Sequence, residues 1–180
     1  MVYVLLGTGF EEMEAIAPID LLRRAGIPTM TVGVDGKLVT GGHGITIEAD
    51  ITIGEMDLTN LEMILLPGGL GGVATARSSQ AALDALRFAW ENDKFVAAIC
   101  AGPTVLADLN ITDGRQATCY PGCETGMGSA CIVADAPCVR DGKLITGTSA
   151  GCATSFALML IEALKGKAEA EKIAQQIVIR

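Results

Sequence analysis

The sequence offers one histidine, 4% aromatic residues and no run of lysine or arginine, and each scarcity removes a class of function. With 13 basic residues against 21 acidic ones and a formal net charge of -8, it lacks the electrostatic footprint that nucleic acid or an anionic lipid surface demands. Small molecules or other proteins remain as partners. No apolar run approaches membrane-spanning length, and the apolar start from Met1 to Leu6 has no basic leader and meets Gly7 too early for a secretory signal. The expectation is a soluble protein of the cytoplasm. The lone histidine, His43, lies far upstream of Gly147-Thr-Ser149-Ala-Gly151, which matches a serine nucleophile elbow. A hydrolase of that kind needs a histidine after the serine, so the pattern reads as a decoy.

Six cysteines without a secretory signal read as reduced thiols, each needing its own explanation. Cys119, Cys123, Cys131 and Cys138 show neither paired two-residue gaps nor a ligating histidine, so no metal site is expected. Cys119 and Cys123 are close enough along the chain to link under oxidation. Gly7-Thr-Gly9 with Asp35, and Gly69-Leu-Gly71-Gly-Val-Ala74, are partial dinucleotide fingerprints. The first lacks its third glycine and puts three glutamates where a pyrophosphate should sit; the second has no suitable acid after the next strand.

The 180 residues, half of them hydrophobic, suit one core and a single domain over residues 1–180. Val2 to Leu6, Glu62 to Leu66 and Phe95 to Ile99 are short continuous apolar runs that end in turns, the pattern of buried parallel strands. Thr29 to Val34 reads as another strand, and Leu38 to Thr40 with Ile45 to Ile47 as a peripheral hairpin. Ala130 to Ala134, Cys138 to Arg140 and Leu144 to Thr146 read as later strands. Helices are expected from about Phe10 to Gly26 with a kink at Pro18, from Gln80 to Asn92, through Asp108, from Ser149 to Leu164 and from Ala168 to Val178. Pro67 to Gly72 reads as a glycine loop. Strands alternating with helices imply an α/β fold with a doubly wound, mostly parallel sheet, which binds ligands beyond the carboxyl ends of its strands.

At that edge Cys100 runs directly from a strand into Ala101-Gly102-Pro103 and a helix. A sharp reversal there exposes the side chain, and helix amides aimed at it favour a thiolate at neutral pH. Glu11, Glu12 and Glu14 crowd the start of the first helix at the same edge. Acids there complement the helix dipole, but one that points inward beside sulfur would be raised in pKa and donate a hydrogen bond to it.

Gly9-Phe-Glu-Glu-Met-Glu14, Leu66-Pro-Gly-Gly69, Ala97-Ala-Ile-Cys-Ala-Gly-Pro103 and Thr154-Ser-Phe-Ala-Leu158 together resemble the successive signatures of the ThiJ/PfpI superfamily, in its DJ-one-like branch. The resemblance implies a flavodoxin-like fold and a homodimer. It gives Cys100 the reactive-cysteine position and Glu14 that of a protonated partner, with the Gly69 and Ala101 amides lining an anion-stabilising pocket to which Gly68 and Tyr120 contribute. Tyr120 stands where many relatives carry histidine, and Ala101 where other branches carry the histidine of a protease, so proton transfer falls to Glu14. His43 falls near a basic position that in relatives reaches toward the partner subunit's pocket, the other reading being an exposed hairpin residue; Ala150 and Cys152 replace residues of the pocket rim.

The function implied is a cofactor-independent glyoxalase or deglycase. Cys100 attacks an α-oxoaldehyde or early glycation adduct, and a 2-hydroxy acid is released. The alternative is a non-catalytic oxidative-stress sensor or chaperone in which Cys100 becomes a sulfinate.

Overall fold

The computed structural model describes residues 1–179. In chain order its strands are β1 Val2–Leu6, β2 Thr29–Gly33, β3 Leu38–Thr40, β4 Thr46–Glu48, β5 Ile51–Thr52, β6 Met63–Leu66, β7 Phe95–Ile99, β8 Gln116–Ala117, β9 Cys131–Ile132, β10 Cys138–Asp141 and β11 Leu144–Gly147. The helices are α1 Glu12–Arg24, α2 Leu70–Ser78, α3 Gln80–Glu91, α4 Pro103–Asp108, α5 Ala153–Lys165 and α6 Lys167–Gln176.

Seven strands form the central sheet in the order β10-β11-β7-β6-β1-β2-β5. All neighbours are parallel except β10, which pairs antiparallel with β11 at the edge. The apolar strands are buried on both faces. From β1, Val2, Val4 and Leu6 join the core under α1, α5 and α6, while Tyr3 and Leu5 join the core under α2, α3 and α4. This is the two-sided burial of a doubly wound, flavodoxin-like sheet. The strand order reverses between β1 and β6, so the turns after these two strands, with the turn after β7, flank the crevice at a topological switch point.

Several expected features differ. Pro67 to Gly72 is not wholly a loop, because α2 begins at Leu70 with Gly69 as its N-cap. Gly71 and Gly72 lack the apolar periodicity of a helix but allow it to lie against the backbone of Gly9 and Phe10: a Cβ on Gly72 would lie 2.7 Å from Phe10 Cα. The second partial dinucleotide motif is thereby spent on packing. Helix α1 starts at Glu12 rather than Phe10 and runs on through Pro18, which forfeits the ladder bond to the Glu14 carbonyl. The last two helices also shift, α5 starting at Ala153 after a single 3-10 turn and α6 ending at Gln176. Among the described residues, no helix is long and apolar enough to cross a membrane.

Candidate active site

Cys100 follows β7 with φ of 65°, a left-handed conformation unfavourable for a side chain bearing Cβ. The surrounding backbone holds it there. Cys100 N–H donates to the Gly147 carbonyl at 2.9 Å, and the Cys100 carbonyl accepts the Tyr120 N–H at 2.8 Å. Strain at one residue, secured by β11 and by the 120 turn, aims a fixed sulfur out of the sheet. Ser149, in the decoy elbow, has extended backbone at φ -168°, without that strain.

The three glutamates of α1 do three different things. Glu11 caps the helix, its side chain accepting the Glu14 N–H at 2.8 Å. Glu12 is buried and holds the β3–β4 hairpin: it accepts the His43 N–H at 2.7 Å, bonds the His43 Nδ1 at 2.8 Å, and accepts a further N–H from Ile45. Burial alone would raise the Glu12 carboxyl, but the bonds from His43 and Ile45 outweigh it and hold the pKa below its ordinary value. Glu14, 1% exposed, is the one turned inward; its Oε2 accepts the Gly68 N–H at 2.9 Å, and its carboxyl is hydrogen-bonded to the Cys100 side chain.

Gly68 fits between these two groups because it has no side chain. A Cβ there would stand 2.5 Å from Glu14 Oε2 and 2.6 Å from Cys100 Cβ. The next residue, Gly69, has φ of 86°, and its amide and that of Ala101 both donate to the Cys100 sulfur. Cys100, Glu14, Gly68, Gly69 and Ala101 therefore meet at one point. Tyr120 joins them through its backbone, while its ring is an exposed surface group. His43 does not join them within the protomer; its side chain is 74% exposed, beside Glu12.

The electrostatics correct one expectation. Burial raises the Glu14 carboxyl to about 7, opposed by its bonds from Cys100 and Gly68 and assisted by the charges of Glu11 and Cys152. Cys100 is not depressed towards a thiolate. Burial first, then the Glu14 charge and hydrogen bond, push its thiol up to about 12 against the two amides. Helix α4 does not reverse this, being short and starting only at Pro103. Cys100 and Glu14 form a coupled pair that keeps a proton on sulfur while Glu14 titrates near neutrality.

Among the described residues, the group of three metal-ligand atoms lying within 4.8 Å of one another is Glu11, Glu12 and His43, and it contains no cysteine. Glu12 and His43 already satisfy each other. Asp35, the acid of the first dinucleotide pattern, accepts the Thr8 N–H at 3.1 Å and so braces its own turn. Cys152, which the resemblance puts at the pocket rim, lies near enough for its charge to raise Glu14, and what the sequence did not show is its pairing with Cys138.

An open α/β sheet with a strained cysteine after a central strand, set against a buried carboxyl, defines a class of small proteins built around one thiol. The chain belongs to the DJ-1/PfpI family, whose model matches residues 1–163. It is 35% identical over 178 residues to the protein dj-1beta of Drosophila melanogaster, covering 98% of this chain and 95% of that protein. The crystal structure of Drosophila melanogaster DJ-1beta matches with a TM-score of 0.94 over 99% of this chain and 97% of that one. Oxidized Toxoplasma gondii DJ-1 is 32% identical with a TM-score of 0.91, covering 98% and 97% of the two chains. A deglycase of Pyrococcus abyssi is 28% identical over 165 residues, covering 91% of this chain and 99% of that protein.

Proposed function

We propose that this protein is a cysteine-dependent, cofactor-independent enzyme that converts α-oxoaldehydes, or their early glycation adducts, to 2-hydroxy acids. The observation that carries the reading is the hydrogen-bonded pair of Cys100 and Glu14, one strained and the other buried with its pKa near neutrality. The deglycase of Pyrococcus abyssi, a family member, supports the substrate class.

The raised thiol pKa sets the order of events. Glu14, as carboxylate, takes the Cys100 proton while sulfur bonds to the aldehyde carbon, and the Gly69 and Ala101 amides stabilise the oxyanion. Protonation of that oxygen by Glu14 gives a hemithioacetal. Glu14 then removes the proton from the former aldehyde carbon and returns it to the adjacent carbonyl carbon, while the hydroxyl proton of the first carbon passes to the oxygen of the second, so the first carbon is oxidised to a thioester and the second reduced to an alcohol. The resulting thioester is cleaved by water, giving the 2-hydroxy acid and the free thiol. With methylglyoxal the sum is one aldehyde plus one water to one lactate. Gly68 spaces the pair, and Tyr120 borders the pocket.

In this reading the chain is one cytoplasmic domain that works as a homodimer. Met13 and Ile16, a turn apart on α1, and Leu38 and Ile45 on the hairpin are all exposed large apolar side chains, which a second copy would cover. The dimer would also bring the outward His43 of the partner subunit to the pocket. Methylglyoxal consumption with lactate formation over many equivalents tests the reading; an inert wild type with intact thiols removes it.

The two amides at sulfur favour one alternative, oxidation sensing. A Cys100 sulfinate would keep both donors and gain a third from protonated Glu14. Peroxide separates the readings, since a sensor retains the added oxygen and a catalyst regenerates its thiol.

A further inference from the structure

A second thiol centre lies beside the first and takes no part in the chemistry proposed above. Cys138 opens the edge strand β10, opposite Gly147 of β11. The chain then passes through Thr148 and Ser149 into a single 3-10 turn, Ala150–Cys152, before α5. Thr148 fastens the approach to β10. Its N–H donates to the Pro137 carbonyl at 2.9 Å, and its Oγ1 donates to the carbonyls of Ala136 at 2.9 Å and Pro137 at 3.0 Å. That clamp sets Cys138 against the core cluster containing Cys152, whose sulfur is held by Ser149, 3.1 Å from its carbonyl and 3.4 Å from its N–H.

We propose that Cys138 and Cys152 are a redox dithiol that small hydroperoxides convert to an intramolecular disulfide, independently of Cys100. Three features support it. Both thiols are free and lie against one core cluster, on a strand start and a 3-10 turn that the Thr148 clamp holds side by side, near enough for each to shift the other's pKa. A cavity of about 370 Å³, lined by Ala134, Pro137, Ser149, Gly151 and Cys152 among others, admits a small oxidant to the turn. The two thiols are also chemically unequal. The Cys138 hydrogen bond, against the cost of burial, pulls Cys152 down to about 6, helped by the amides of Ser149 and Thr148, while the same bond and burial push Cys138 up.

The inequality assigns the roles. The Cys152 thiolate attacks the terminal peroxide oxygen, the O–O bond breaks, and an alcohol or water leaves with a proton. Cys152 is then a sulfenic acid. Cys138 attacks that sulfur, its proton leaves with the hydroxide as water, and the S–S bond closes. In sum two thiols and one hydroperoxide give one disulfide, one alcohol or water, and one water. An external thiol reverses the step by exchange.

Peptide mapping of the full-length protein after stoichiometric hydrogen peroxide tests this, with wild type, Cys100→Ser, Cys138→Ser and Cys152→Ser compared, each checked for native circular dichroism. The expected result is a linked Cys138–Cys152 peptide, 2 Da lighter than its reduced halves, in wild type and Cys100→Ser alike. A sulfenic-acid probe should label Cys152 in Cys138→Ser. Absence of the linked peptide from folded wild type overturns the proposal, as does its loss in folded Cys100→Ser or the appearance of a Cys119–Cys123 link alone. The wild-type and Cys100→Ser results stand even if the other variants fail to fold.

Discussion

The Glu14 carboxyl is hydrogen-bonded to the Cys100 thiol, and the Gly68 N–H, 2.9 Å from Glu14 Oε2, holds it in that position. With Cys100 pushed up to about 12 and Glu14 near 7, the resting site above neutral pH is a thiol beside a carboxylate. Attack by sulfur then requires the carboxylate form. On methylglyoxal, kcat/KM should rise with pH through about 7, and Cys100→Ser should abolish turnover. Glu14→Gln should lose about 10²- to 10⁴-fold and the rising limb with it. An unchanged pH profile in Glu14→Gln would remove Glu14 as the base.

The same carboxyl links stability to pH. Its folded pKa is raised above the ordinary 4.5, so folding favours the protonated form. That contribution is fully present below pH 4.5 and is lost as pH rises through about 7; it amounts to about 3 kcal/mol over the window. Denaturant titrations of wild type and Glu14→Gln should therefore show a stability difference that moves in favour of the variant from pH 4.5 to 7.5. A constant difference would mean that Glu14 titrates normally.

Gly68→Ala should damage the site without altering its chemistry. The added Cβ would meet the Glu14 carboxylate and the Cys100 Cβ together, and the Glu14 side chain, buried on all sides, has little room to retreat. A cost of about 1–3 kcal/mol in stability is expected, with a large fall in kcat. Native stability together with native kcat would show that the pair tolerates separation.

Much of this was legible before the fold was. The run Phe95 to Ile99 coincides with β7, and Cys100 stands at the turn its sequence announced, because a continuous apolar run between turn residues has few other uses. Helix α2 was hidden for the opposite reason: Gly71 and Gly72 suppress the local helical signal, and only their contact with Gly9 and Phe10 explains them. The strands β5 and β8 are two residues long and carry no period to read, and of the strand expected over Ala130 to Ala134 only Cys131–Ile132 forms. The thiol pKa was misjudged because nearby amides can be inferred from a motif, whereas burial and the Glu14 charge depend on packing. Nor does sequence spacing distinguish Cys138, grouped there with three other cysteines, from a partner of Cys152; the Thr148 clamp makes that pairing.

His43 offers a test of how much the pocket owes to a second copy. Its Nδ1 is engaged by Glu12, whose hydrogen bond, followed by its charge, raises the imidazole pKa, and the rest of the ring faces outward. If the ring enters the partner's pocket, His43→Ala should raise KM with kcat nearly unchanged, since substrate binding weakens while Cys100 and Glu14 remain. Equal kinetics in variant and wild type would confine His43 to the hairpin.

The exposed apolar side chains make the assembly itself testable. Met13 and Ile16 are 59% and 44% exposed on α1, and Leu38 and Ile45 are 69% and 56% exposed on the hairpin that Glu12 ties to that helix. Leaving all four in water is unfavourable, whereas a second copy covering them removes apolar area on both partners at once. Sedimentation should therefore give a species of twice 18.6 kDa, and Met13→Glu combined with Ile16→Glu should shift it to the monomer without unfolding it, because neither residue belongs to the core. Since Cys100, Glu14 and both amides come from one chain, the monomer should keep the pH dependence of kcat and lose affinity. A wild type that sediments only at 18.6 kDa would remove the dimer and, with it, any part for His43 in the pocket.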